Sequence, residues 1–114
     1  MKPIILATAI AAFVSGGVLA HSKEETTEPA DRAEVEMVEE VVLEFDKPMR
    51  VTAISIDGGS GSIELSSEQG TEPTTRYVVK PQADLEPGSY KVEWRGLSSD
   101  GHPMKGDFAF DVSP

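Results

Sequence analysis

The sequence contains no cysteine and only two histidines among its 114 residues. Without cysteine the chain forms no disulfide, and zinc-thiolate, iron–sulfur and blue-copper centres and thiol catalysis are excluded. Basic residues are also few, since 10 Lys and Arg stand against 20 Asp and Glu and give a formal net charge of −10. This charge argues against a nucleic acid or an anionic membrane surface as the partner. Any transition-metal site or histidine catalysis must therefore use His21 or His102.

The first 20 residues have the composition of a secretory signal peptide. Lys2 gives a basic start, residues 3–14 are almost wholly apolar, and the segment ends on the small residue Ala20. The apolar run is shorter than the roughly 20 residues that a membrane span needs. A retained membrane anchor or a buried core segment is the alternative. We predict that residues 1–20 are cleaved off and that residues 21–114 form one domain in a bacterial periplasm.

The remaining chain begins with a strongly acidic stretch and continues as β-strands. Residues 21–46 contain ten acidic and two basic residues, and we expect a solvated edge strand or extended arm there rather than a helix. Apolar and polar residues then alternate with period two, which is typical of half-buried strands. The segments predicted as strands are 41–46, 50–57, 62–66, 75–80, 90–95 and 107–112, with Pro48 separating the first two.

The alternation also predicts which side chains form the core. On the last two strands the inward-facing residues are expected to be Tyr90, Val92, Trp94, Phe108, Phe110 and Val112. On the first strand Val41, Leu43 and Phe45 should face inwards and Val42 outwards. Six or seven short strands joined by turns indicate an all-β fold, an antiparallel sandwich or a small barrel.

His21 would become the first residue of the exported chain. A free α-amino group and the imidazole Nδ1 of the same residue can chelate one metal ion in a six-membered ring. The chelate exists only after cleavage, so export and formation of the site would be linked. The alternative is that a histidine lies beside the predicted cleavage site by chance.

Asp100, Gly101 and His102 form an Asp-x-His pair between the last two predicted strands. In an extended segment residues i and i+2 point to the same side, so the carboxylate and the imidazole can converge on one ion. With His21 they supply three nitrogens and one oxygen, a set that favours Cu(II) when roughly planar, whereas Zn(II) would draw it towards a tetrahedron. The alternative is an ordinary turn with an exposed histidine.

Methionines are the other candidate copper donors, as soft ligands of Cu(I). Met37, Met49 and Met104 are scattered along the chain. We interpret all three as core packing or loop filling, and we expect no separate Cu(I) site.

The exported chain resembles the CopC family of periplasmic copper-resistance proteins over essentially its whole length. The first match is a leading histidine, His21, followed by Pro29-Ala30-Asp31. Three further segments match family motifs: Val41 to Pro48 (VVLEFDKP), Leu85 to Arg95 (LEPGSYKVEWR) and Ser98 to Val112, which contains Asp-Gly-His-Pro. The last two motifs are specific together.

The resemblance implies a small Greek-key β-sandwich, immunoglobulin-like or cupredoxin-like, of about seven strands. It implies that His21, Asp100 and His102 bind Cu(II), that the protein is not an enzyme, and that its task is copper resistance or homeostasis. A CopD-type transporter of the inner membrane is the implied partner, and we expect a monomer.

Two other functions stay open. A copper monooxygenase can use an N-terminal histidine in the same way, although the 94 residues left after cleavage (114 − 20) offer little surface for a polysaccharide. A metal-free β-sandwich interaction module would use neither histidine.

Overall fold

The computed structural model describes residues 25–114 as one β-sandwich, which confirms the predicted fold class. The predicted signal peptide and His21 lie outside the described residues. No described residue belongs to a helix that is long and apolar enough to cross a membrane. The strands are β1 (Glu25–Glu28), β2 (Ala33–Val35), β3 (Val41–Gly58), β4 (Gly61–Ile63), β5 (Leu65–Ser66), β6 (Thr74–Pro81), β7 (Gly88–Ser98) and β8 (Pro103–Val112).

β3 is the strand around which the fold is built. Its first part pairs with β1 and β6, its second part pairs with β4 and β7, and all four pairings are antiparallel. The register of the β3–β6 pair shifts between Glu44 and Met49, and Pro48 lies in this irregular stretch. The prediction that Pro48 separates two strands is therefore wrong. A proline has no N–H to contribute to a ladder, and a bulge lets the strand bend there and continue.

The strand order of the sheet is β2-β8-β7-β3-β6-β5, with β1 and β4 also paired to β3. β2 runs parallel to β8, so the sheet is mixed and the expectation of purely antiparallel pairing is wrong at this edge. The acidic lead-in supplies the short strands β1 and β2, as the expected edge strand or arm. The predicted strand 62–66 is divided, since β4 pairs with β3 and β5 pairs with β6.

The core lies inside the curled sheet and confirms the alternation predicted for β7 and β8. Tyr90 stacks on Phe110 with ring centroids 5.5 Å apart, and Phe45 meets the edge of Trp94 at 5.2 Å. Val42, expected to face outwards, is buried like its neighbours Val41 and Leu43, so both faces of β3 are covered at its start. Among the described residues no charged or polar side chain is buried, so the acidic residues face water.

Leu43 tests the packing at the centre of the sandwich. Leu43 is fully buried on β3, so Leu43→Ala should lower the free energy of unfolding by about 2–5 kcal/mol. The half-exposed Leu97 is the matched control, and Leu97→Ala should cost less than about 1 kcal/mol. Urea unfolding followed by the fluorescence of Trp94, the single tryptophan, measures both. Equal costs for the two variants would contradict the burial pattern.

Candidate metal site

The Asp-x-His pair lies in the hairpin loop between β7 and β8. Ser98 and His102 close the loop, because the Ser98 N–H donates to the His102 carbonyl at 2.9 Å and the Gly101 N–H donates to the Ser98 carbonyl at 2.9 Å. Gly101 has a φ of 87°. Three-residue hairpin loops need a residue in the left-handed region at this point, and glycine adopts it without steric cost.

A network of side-chain hydrogen bonds ties the loop together. The Ser98 hydroxyl donates to Asp100 Oδ1 and accepts the backbone N–H of His102 at 3.1 Å. The His102 Nδ1 lies 2.9 Å from the same Asp100 oxygen. The structure therefore brings Asp100 and His102 together as predicted. The cause differs from the prediction, since a tight turn and not an extended segment makes them converge.

This arrangement prepares both side chains for a cation. An imidazole that donates Nδ1–H to a carboxylate offers the lone pair of Nε2 to a metal, and the carboxylate fixes the orientation of the ring. The Ser98 hydroxyl, and after it His102, lowers the pKa of Asp100 to about 2, so the carboxylate is ionised at neutral pH. The side chains of His102 and Asp100 are 75 % and 68 % exposed, so an ion in solution can approach them.

Two donors do not make a strong site for a transition metal. Across residues 25–114 there is no group of three or more His, Cys, Asp or Glu that could hold a metal ion. His21, the third predicted ligand, precedes the described part of the chain. The position of Glu25, the first described residue, therefore decides whether His21 can take part.

Glu25 lies over the ladder between β7 and β8. The Trp94 Nε1–H donates to Glu25 Oε2 at 3.2 Å, and Trp94 is paired with Gly106 across the ladder. A Cβ on Gly106 would stand 2.7 Å from Trp94 Nε1 and 3.0 Å from Glu25 Oε1. The missing side chain of Gly106 therefore allows the carboxylate and the indole to meet there.

The distance along the chain from Glu25 back to His21 equals the distance from Gly106 back to the loop. His102 lies four positions before Gly106, and His21 lies four positions before Glu25. An extended chain advances at most about 3.3–3.6 Å per residue, so four residues reach about 13–14 Å. A residue at position 21 is therefore within reach of the Asp100–His102 pair.

Three residues of this region were not predicted from the sequence. Ser98 joins the two candidate ligands, while Glu25 and Gly106 position the start of β1. A lone glycine inside an alternating strand often marks a close approach, and this was the available signal for Gly106. No local pattern pairs Glu25 with Trp94, because 69 residues separate them.

The three methionines lie in different environments. Met49 is buried and Met104 packs against the core, as expected. Met37 lies in the connection between β2 and β3 with 64 % of its surface exposed, so it does not pack in the core, and loop filling is the interpretation that remains for it.

The fold and the loop together are those of a small β-sandwich protein that exposes a carboxylate and an imidazole to metal ions at the end of one hairpin. The family model of the CopC domain matches residues 24–113, and the chain belongs to the CopC family.

Named relatives and solved structures agree with this assignment. Copper resistance protein C of Pseudomonas syringae pv. tomato is 29 % identical over 110 residues, which cover 88 % of this chain and 86 % of that protein. Protein YobA of Escherichia coli K12 is 30 % identical over 112 residues, which cover 94 % of this chain and 90 % of that protein. The crystal structure of PcoC, a methionine-rich copper resistance protein from Escherichia coli, superposes with a TM-score of 0.65 at 25 % identity, covering 79 % of this chain and 96 % of PcoC.

Ser98→Ala tests the hydrogen-bond network in the metal-free protein. Loss of the hydroxyl removes the main cause that lowers the pKa of Asp100, so this pKa should rise from about 2 towards its ordinary value of 3.8. An NMR titration of the Asp100 carboxyl carbon measures it. Ser99→Ala, one residue further into the loop, is the control and should leave the midpoint in place. An unchanged midpoint in Ser98→Ala would contradict the network.

Gly106→Ala tests the close approach of Glu25 and Trp94. The added methyl group would overlap the indole, so the variant should lose about 1–3 kcal/mol of unfolding free energy, and the Trp94 fluorescence should change. Gly70→Ala is the control, because a Cβ there meets nothing within 4 Å, and it should cost no more than about 0.5 kcal/mol. A Gly106→Ala variant as stable as the control would show that Glu25 and Trp94 are not packed closely against residue 106.

Proposed function

We propose that the protein binds Cu(II) in the periplasm, without enzymatic activity, and serves copper resistance or homeostasis. The ligands are the α-amino group and imidazole of His21, the imidazole of His102 and the carboxylate of Asp100, whose hydrogen bond to His102 Nδ1 opens when both bind one ion. The observation that carries the proposal is the loop in which an ionised Asp100 holds the His102 imidazole, within a four-residue reach of Glu25.

The pairing of β1 supports the part assigned to His21. β1 and β7 pair with the same edge of β3, because β6 holds the other edge both at Leu43 and at Met49. The chain that runs back from Glu25, which is opposite Phe45, therefore heads towards Met49. Met49 is itself the partner of Ser98, the residue that closes the loop. The direction of β1 and the four-residue reach thus support a site that joins the new N-terminus to the loop.

The donor set supports copper as the metal. Two imidazoles, an amine and a carboxylate suit the tetragonal preference of Cu(II), which also stands highest in the general order of divalent affinities. The CopC relatives are named for copper resistance. Within residues 25–114, Met49 and Met104 pack in or against the core and Met37 is exposed, and we expect no separate Cu(I) site.

Export and delivery complete the proposal. Cleavage after Ala20 creates the amine ligand, so the site forms only in the exported protein. The protein acts as a monomer and passes copper to a CopD-type transporter of the inner membrane. The exposed acidic residues favour the approach of a cation, since a net negative surface raises the local cation concentration.

A Cu(II) titration compares the protein that begins at His21 with a version that carries one alanine ahead of it. The extra residue moves the α-amine off the histidine and destroys the six-membered chelate. The native form should bind one equivalent, and the extended form should bind at least about 100-fold more weakly. Competition with a copper chelator of known affinity measures both constants.

The same Cu(II) titration is repeated with variants of the loop. Asp100→Asn and His102→Gln should each weaken binding by at least about tenfold. Asp107→Asn is the matched control, because it removes an equal charge from an exposed position of β8, and its affinity should stay within about twofold of the native protein. Equal affinity of the native and alanine-extended forms would refute the N-terminal site.

A further inference from the structure

The outer face of the β3–β7–β8 sheet carries an unusual group of residues at the end next to the Ser99–Gly101 loop. In the row nearest the loop, Arg50 is paired with Leu97. In the next row Arg95 is directly opposite Lys105. All four side chains are exposed, and we call them the basic corner.

Among the described residues, the neighbouring carboxylates pair elsewhere and leave two of these cations without an ion pair. Glu93 and Asp107 occupy the next row of the same face, and both pair with Lys91, at 3.6 and 3.9 Å. Within residues 25–114 no carboxylate forms an ion pair with Arg95 or Lys105. Like charges directly opposite each other on paired strands destabilise a sheet. The chain has twice as many acidic as basic residues, and yet two basic residues face each other here. No ion pair within residues 25–114 offsets their repulsion.

Leu97 gives the basic corner an apolar centre. It is one of two exposed large hydrophobic residues in the described chain, with 36 % of its surface in contact with water. Arg50 is held beside it, because its guanidinium donates to the Thr71 carbonyl at 2.8 Å. Arginine around an apolar side chain is typical of protein interfaces, where complementary charge directs the partner.

The edge of β8 next to Lys105 can also accept an extended segment. The N–H and C=O of Ala109 point away from β7, since they bond to the Asp31 carboxylate and to the Arg32 N–H. Backbone direction alternates along an antiparallel strand, so those of Lys105 and Asp107 point to the same side, where β8 has no strand partner among the described residues. Two copies of this edge would bring their lysines together, which disfavours self-pairing.

We propose that the basic corner is a docking surface for an acidic, extended segment of another protein. Carboxylates of that segment meet Arg95 and Lys105, and one of its apolar side chains covers Leu97. The basic corner adjoins the loop that contains Asp100 and His102. A protein bound there therefore lies beside the proposed copper ligands. In this respect the inference rests on the proposed function, although docking itself needs no metal.

An anionic bilayer fits the same surface less well. The whole chain carries a formal charge of −10, so a charged lipid surface repels most of the molecule. A lipid headgroup also offers no main chain to the open edge of β8, whereas a peptide offers both the charge and the hydrogen bonds.

The test uses the metal-free protein, purified after export from cells that express the full chain. The probe is a short blocked peptide of alternating glutamate and leucine, and its glutamine counterpart is the control peptide. Backbone NMR signals are followed during the titration at low ionic strength. We expect saturable shifts at Arg95, Leu97 and Lys105 with the glutamate peptide alone, and their loss at high salt.

Lys105→Glu and Lys80→Glu form a matched pair of variants. Both change the net charge by the same amount at an exposed strand position, but Lys80 lies on β6 outside the basic corner. Lys105→Glu should weaken peptide binding by at least about tenfold, and Lys80→Glu by less than about twofold. Lys105→Glu should also unfold at the same or a higher temperature, since it replaces a like-charge pair with an opposite-charge pair.

Three results would overturn the proposal. These are equal peptide affinities of the two variants, shifts caused by phosphatidylglycerol vesicles and not by the peptide, and concentration-dependent broadening of the corner signals without peptide, which would indicate self-association. A Cu(II) titration of Lys105→Glu, expected to match the native protein, keeps failure of docking distinct from failure of the copper site.

Discussion

The contact of Glu25 with Trp94 over Gly106 connects the two parts of the molecule to which we assign the proposed copper site. It fixes the start of β1 above the β7–β8 ladder, and the same ladder ends in the loop of Asp100 and His102. A side chain on residue 106 would push the indole and the carboxylate apart. The close packing of one glycine therefore sets the position of Glu25, the first described residue, relative to the loop.

The loop holds the two candidate ligands Asp100 and His102 at little cost in stability. Its donors are exposed, so folding does not have to remove a charge from water, and the Ser98 hydroxyl orders them through hydrogen bonds. The pKa of Asp100 is held near 2 by these bonds, so the carboxylate stays charged over the whole physiological range. The core, by contrast, is entirely apolar among the described residues, and the sandwich does not depend on the metal for its packing.

Much of the fold and the loop pair could be predicted from the sequence, because period-two alternation reports burial directly. The inward faces of β7 and β8 and the pairing of Asp100 with His102 followed from local patterns. The continuity of β3 through Pro48, the burial of Val42 and the parallel β2 did not, because each depends on a strand distant in the chain. For the same reason the contact of Glu25 was not predicted, because its partner Trp94 lies 69 positions away in the chain. His21 and the signal peptide precede the described residues and stay predictions.

The central claim is that one copper ion joins the new N-terminus to the β7–β8 loop. Paramagnetic broadening of backbone NMR signals by one equivalent of Cu(II) tests it most directly, because the effect falls steeply with distance from the ion. The account predicts that signals of Glu25 and of Ser98 to Met104 disappear together, while those of β5 and the Gly58–Gly61 turn stay sharp. Broadening confined to the acidic residues 34–46, or spread evenly over the sandwich, would contradict it.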